Sequence, residues 1–262
     1  MLMILMMLMI LMLTPLKKYL PCSLAVLAGL GTSPALSAET TFTLATPRGA
    51  TIEVISDKPN GAGQFPVVIL ASGTSYDARQ PLQLELAKQL QQQGFAVLRF
   101  NWAYQVAAKG GQPSADRQAE IEDMQTVLHY ARQQSWADQR HIIAAGKSLG
   151  SIIAWRVFAA DPALESAILL TPACRNPPGL EVQYPRVSNE TRPSLWLLGD
   201  KDPVCATHEL YSYLGQQASP ARISVVDGNH ILATEDKQPA AAETLALAAR
   251  IATRFAASVT GH

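Results

Sequence analysis

From Thr41 to Phe255, short apolar runs alternate with longer stretches in which apolar residues recur every three or four positions. Thr41–Thr46 and Thr51–Ser56 alternate polar and apolar residues across Pro47-Arg48-Gly49, a pattern that predicts an opening β-hairpin. After the polar Gly/Pro loop Asp57–Gln64, Pro66–Ala71 is continuously apolar, as expected of a strand buried on both faces. It ends in the small residues Ser72-Gly73-Thr74-Ser75. Leu82, Leu86 and Leu90 stand at helical spacing, and Gly94 stops that helix. Phe95–Phe100 reads as the next strand, running into Asn101-Trp102-Ala103-Tyr104, and Ala107–Ser114 as a loop. A long helix from Ala115 to about Trp136 carries Ile121, Met124, Leu128 and Ala131 on one face.

The alternation continues to the end of the chain. Arg140–Ala145 is a strand, and Ile152–Ala160 a helix ended by Asp161-Pro162. Ser166–Leu170 and Ser194–Leu198 are strands, separated by a loop-like Thr171–Pro193 with five prolines. Ala206–Gln216 is a helix, Arg222–Val226 the last strand, and Leu247, Ile251 and Phe255 form the core stripe of a closing helix. Strands alternating with helices after a hairpin predict an α/β fold: a largely parallel sheet covered by helices on both faces. There is no internal repeat and no sign of a second domain.

The first 38 residues follow a different pattern. Met1–Leu13 contains only Met, Leu and Ile, and holds six of the seven methionines. Lys17-Lys18, the apolar Leu20–Leu30 and the small-residue stretch Ser33–Ala38 then make a secretory signal peptide, cleaved after Ala38 or, alternatively, after Ala35. The apolar run ahead of Lys17 points to a start codon assigned too far upstream. Each apolar run falls short of the ~18 residues needed to span a bilayer. An exported periplasmic or secreted protein of 262 − 38 = 224 residues is expected, as one domain over residues 39–262. Its 21 acidic and 19 basic residues give a net charge of −2 with no Lys/Arg block, which argues against nucleic acid or anionic membranes as partners. Oligomeric state is not legible.

Candidate chemistry centres on Gly146-Lys147-Ser148-Leu149-Gly150, a G-x-S-x-G between a strand and a helix. A serine on that sharp turn is exposed at the head of the helix, and small residues two positions away let strand and helix approach. The backbone N–H of Leu149 is then available to an oxyanion. A serine nucleophile needs an imidazole and a carboxylate. In an open parallel sheet such groups gather beyond the carboxyl ends of strands. Asp200 and Asp202 both leave a strand there. Asp202 is favoured because the turn begun at Gly199 needs a few residues to point back, while Asp200 reads as a turn residue. His230 leaves the last strand at the same edge, whereas His129, His141, His208 and His262 sit in helices, at the opposite edge or at the terminus.

With Ser148, Asp202 and His230 in that order, the chain resembles the α/β-hydrolase fold family over about Thr41 to Phe255. More narrowly, Arg99–Tyr104 after a strand and Gly146–Gly150 at the elbow resemble the dienelactone-hydrolase-like branch. The resemblance implies a second oxyanion donor in the loop after the third strand. There the family often has His-Gly, and this chain has Ser72-Gly73. A backbone donor at Thr74 survives that exchange, which bears on acyl specificity rather than on reaction class. The expected activity is a serine hydrolase of the carboxylesterase kind, acting on a small-molecule ester or acyl substrate without metal or cofactor. A binding or scaffold protein on the same fold and a peptidase of the same fold are the rival readings.

Four further readings complete the expectation. Lys147 is expected to be solvated, because adjacent elbow residues diverge. Trp102 and Tyr104 line an acyl pocket or cap the core. Arg99 and Asn101 bond loop backbone without a catalytic role. Cys174 and Cys205, the two cysteines left after cleavage, follow consecutive strands at one edge and are expected to form a disulfide.

Overall fold

In the computed structural model, which describes residues 39–262 apart from 109–110, 175–178 and 235–238, the period-two alternation of the strands sends side chains into two hydrophobic layers. The signal-peptide reading lies outside the described residues. The strands are β1 (Thr40–Ala45), β2 (Thr51–Asp57), β3 (Phe65–Ala71), β4 (Ala96–Asn101), β5 (Ala137–Ser148), β6 (Ser166–Pro172), β7 (Ser194–Gly199) and β8 (Ala221–Val226). They form a single sheet in the order β1-β2-β4-β3-β5-β6-β7-β8. β1 and β2 are an antiparallel hairpin, and β2 runs antiparallel to β4. From β4 to β8 every pairing is parallel.

Along β3, Val67, Ile69 and Ala71 join one layer, and Val68 and Leu70 the other; along β5, Ile142 and Ala144 part from Ile143 and Ala145 in the same way. The first layer takes α3 (Gln118–Arg132), α4 (Leu149–Ala160) and α6 (Thr207–Gly215). The second takes α1 (Pro81–Gln92) and α7 (Ala242–Thr260). Strands buried on both faces are the reason these segments read as continuous apolar runs. Among the described residues no helix is long and apolar enough to cross a membrane.

Three elements differ from the sequence pattern. A short helix α2 (Ala103–Ala107) stands where only a strand exit was expected, and the proline-rich segment holds α5 (Leu180–Gln183) and a 3-10 turn at Val187–Asn189. Both are too short to show a hydrophobic period. The closing helix also turns a different face inward. Leu245, Ala248, Ala249, Ala252, Phe255 and Ala256 are buried, and Leu247 is 38 % exposed. α7 packs on α1, and alanines permit the close approach that larger side chains would block.

Candidate active site

The nucleophile candidate owes its position to backbone strain. Ser148 has φ 53° and ψ −117°, a conformation that L-residues rarely adopt. Two glycines make the turn sterically possible. A Cβ on Gly146 would fall on the Gly150 carbonyl, and one on Gly150 would lie 2.5 Å from the Ala71 and 2.6 Å from the Ser72 carbonyl oxygens. β5 and α4 therefore meet at a point where only hydrogen fits. Leu149 is the first residue of α4, so its N–H has no acceptor within the helix and lies at the positive end of the helix dipole.

The loops that carry the candidate acid and base, here the acid and base loops, arrive from β7 and β8. They touch through a second close approach, because a Cβ on Gly199 would fall on the Gly228 carbonyl. Asp200 Oδ1 accepts the Gly228 N–H at 2.9 Å, and the Lys201 N–H donates to the Gly228 carbonyl at 3.0 Å. Asp200 is thus a clamp on the base loop, bonding a neighbouring loop rather than its own turn. Asp202 is buried. Its carboxylate accepts the N–H groups of Val204 at 2.8 Å and Cys205 at 3.3 Å. Its oxygens also stand 2.9 and 3.1 Å from His230 Nδ1, and His230 Nε2 stands 2.9 Å from Ser148 Oγ. A hydroxyl, an imidazole and a buried carboxylate are in unbroken hydrogen-bond sequence.

An alpha/beta hydrolase domain family matches residues 64–257, which takes in this trio and six of the eight strands, all but the opening hairpin's two. The chain belongs to the alpha/beta hydrolase family.

Several solved hydrolases share its architecture. An alpha-beta serine hydrolase homologue from Coxiella burnetii is 21 % identical at a TM-score of 0.66, the match covering 82 % of this chain and 96 % of that one. A dienelactone-hydrolase-like protein from Klebsiella pneumoniae is 18 % identical at 0.66, covering 84 % and 99 %. The esterase domain of a Rhodothermus marinus protein is 15 % identical at 0.65, covering 84 % and 98 %. No curated protein matches the chain significantly.

In this hydrolase the loop after β3 is held by side chains that the sequence pattern did not single out. Gln105, on α2, accepts the Trp102 N–H and donates through Nε2 to the carbonyls of Gly73 (3.5 Å), Thr74 (3.2 Å) and Tyr76 (3.0 Å). Tyr104 donates its hydroxyl to the Thr74 carbonyl at 2.8 Å, and burial pushes its pKa up. Drawing the Gly73 carbonyl toward Gln105 turns the Thr74 N–H, antiparallel to it in a trans peptide, the other way. That loop lies against Ser148: a Cβ on Gly73 would be 3.5 Å from Ser148 Cβ. A glutamine four residues past the end of β4 is a weak signal in sequence, because its partners are carbonyls 29 to 32 positions away.

One open alternative is decided and one expectation is corrected. Trp102 sits in the core; it is 0 % exposed, packs edge-on against Phe100 and donates Nε1 to the Ser72 carbonyl at 3.1 Å. An indole that can reach a carbonyl is stable in the core, which decides the alternative against the pocket. Lys147 is not solvated. It is 4 % exposed, its side chain lying on the face that Ile143 and Ala145 give to the α1/α7 layer. Desolvation draws its pKa down to about 8, with the Asp202 charge pulling the other way. Divergence from Ser148 does occur, but toward the interior.

Arg99 and Asn101 hold loop backbone, as expected. Arg99 Nη1 donates to the Ala78 carbonyl at 2.7 Å, and Asn101 Oδ1 accepts the Ala78 N–H at 2.7 Å. Arg99 is buried and paired with Asp57 and Glu39. Cys174 and Cys205 form a disulfide with Cα atoms 4.6 Å apart, just past β6 and in the Asp202 loop. Clefts of about 480 and 580 Å3 lie between α1 and α7 and beside β1 and α3, away from the trio. A cavity of about 240 Å3, lined by Tyr76, Gln83, Lys147, Ile231 and Leu245 among others, borders the base loop.

Proposed function

We propose that the protein is an exported serine hydrolase of small carboxylic esters. The observation that carries this reading is the unbroken Ser148–His230–Asp202 chain, with contacts of 2.9 Å at each step. His230 Nε2 takes the Ser148 proton as Oγ attacks the ester carbonyl, and Asp202 holds Nδ1–H and compensates the imidazolium. The Leu149 and Thr74 N–H groups receive the oxyanion. His230 then passes its proton to the departing alcohol, and water, activated by the same imidazole, releases the acid from the acyl-serine. The esterase domain among the structural neighbours supports ester substrates, and the short insert between β6 and β7 supports small ones.

A fluorophosphonate probe tests the reading on purified protein. The expected result is labelling of wild type and none of Ser148→Ala, with hydrolysis of short acyl esters and none of aminoacyl amides. Unlabelled wild type that turns over no ester would sink it, and amide preference would make the protein a peptidase of the same fold.

A further inference from the structure

Lys147 takes no part in the mechanism above, yet it occupies the costliest kind of site for a cation. Its ammonium is buried next to the nucleophile, and its contacts go to two other loops of the site. Nζ donates to the His230 carbonyl at 3.1 Å and lies 4.7 Å from the centre of the Tyr76 ring. Tyr76 packs against Gly73, where a Cβ would come within 2.8 Å of Tyr76 Cδ2. One side chain therefore connects the elbow, the base loop and the oxyanion loop.

The base loop needs such a tie. Gly228, two residues before His230, has φ 136° and gives the loop a flexible entry. Other hydrogen bonds fix Gly228 from Asp200 and Lys201, and the Ile231 and Ala233 N–H groups from Asn229. The bond from Lys147 fixes His230 itself. Around the ammonium stand the His230 carbonyl, the Tyr76 ring and the attracting charge of Asp202, and α1 and α7 present the uncharged Leu82, Gln83 and Leu245 to the same cavity.

We propose that Lys147 is a positioning residue for the catalytic base: it ties the His230 backbone to the nucleophile elbow and so holds the imidazole in line with Ser148. This rests on the serine-hydrolase reading.

Three variants test the tether in steady-state ester turnover, with folding checked by thermal melting. Lys147→Met keeps most of the side-chain bulk and removes the donor, so kcat should fall about 10- to 100-fold with KM nearly unchanged, the loss expected from a misplaced catalytic group. Lys147→Gln and Lys147→Arg keep a donor and should recover much of kcat. Active wild type with a folded Lys147→Met variant unchanged in kcat would overturn the assignment alone. So would an equal loss of kcat in all three folded variants, the signature of a space-filling role. Wild type that neither labels nor turns over esters removes the hydrolase reading, and this assignment with it.

Discussion

At the residue scale, the aspartate pair gives the sharpest contrast. Asp202 faces His230 Nδ1, whereas Asp200 accepts a backbone N–H from Gly228. Ser148→Ala and His230→Ala should each lower kcat by about 10^4-fold or more, and combining them should add little, because such residues act as a unit. Asp202→Asn should cost about 10- to 100-fold less than Ser148→Ala. Asp200→Asn keeps an oxygen for the Gly228 N–H and should stay within about threefold of wild type, because the contact survives as an amide-oxygen hydrogen bond. Steady-state kinetics on the four variants check this, and a damaging Asp200→Asn beside a benign Asp202→Asn would reverse the acid assignment. Lys147 supplies a stability test. Its folded pKa of about 8 lies below the ordinary 10.5, so between those values the unfolded chain binds more protons and stability rises with pH. Relative to Lys147→Met, wild type should gain up to about 3 kcal/mol from pH 8 to 10.5, read by urea denaturation. An equal gap at both ends would contradict the burial of a charged amine. The trio was legible because each member follows a strand in the expected order. Lys147 and Gln105 were not, because their partners are backbone carbonyls that only the folded loops bring near.

At the element scale, the segment between β6 and β7 is the best example of structure hidden from periodicity. Its Tyr184 is fully buried. The hydroxyl meets Ser151 Oγ and accepts the Ala173 N–H, both at 2.9 Å, and Tyr213 donates to the Tyr184 carbonyl at 2.8 Å. Burial pushes its pKa up, and its ring stands edge-on to Trp196, which in turn meets Trp155. Tyr184→Phe leaves the Ala173 N–H without that acceptor and should cost about 1–3 kcal/mol. Trp196→Ala opens the cluster and should cost about 3–5 kcal/mol. Chemical denaturation measures both, and values below about 0.5 kcal/mol, the range of surface substitutions, would show that the segment does not depend on this anchor. The Cys174–Cys205 bridge closes a separation of 31 residues and ties the same segment to the Asp202 loop. The chain-entropy model makes it worth roughly 3–4 kcal/mol, so reduction should lower the melting temperature. Thiol counting on denatured, unreduced protein should find no free thiol in residues 39–262; two would refute the bridge. The strands were legible here as uniform apolar runs. α2 and α5 were not, being shorter than two helical turns.

At the scale of the whole molecule, the disulfide and the leader-like sequence of residues 1–38 support export. Protein recovered from its native host should begin at or near Glu39, and synthesis begun near Lys17 should still be exported. N-terminal sequencing of the recovered protein is the check, and an intact Met1 in a membrane fraction would contradict it. Alternation of strand and helix, the hairpin and the order Ser148, Asp202, His230 all follow from patterns local to the chain: period, turn residues and strand exits. These are properties of a few neighbouring residues, so the linear sequence by itself determined the α/β architecture and the edge at which its chemistry gathers. Which side of β5 receives Lys147, which face of α7 meets α1 and what braces the loop after β3 were decided only by tertiary structure. Each depends on contacts between segments tens of residues apart, and those contacts exist only once the sheet has set the loops side by side.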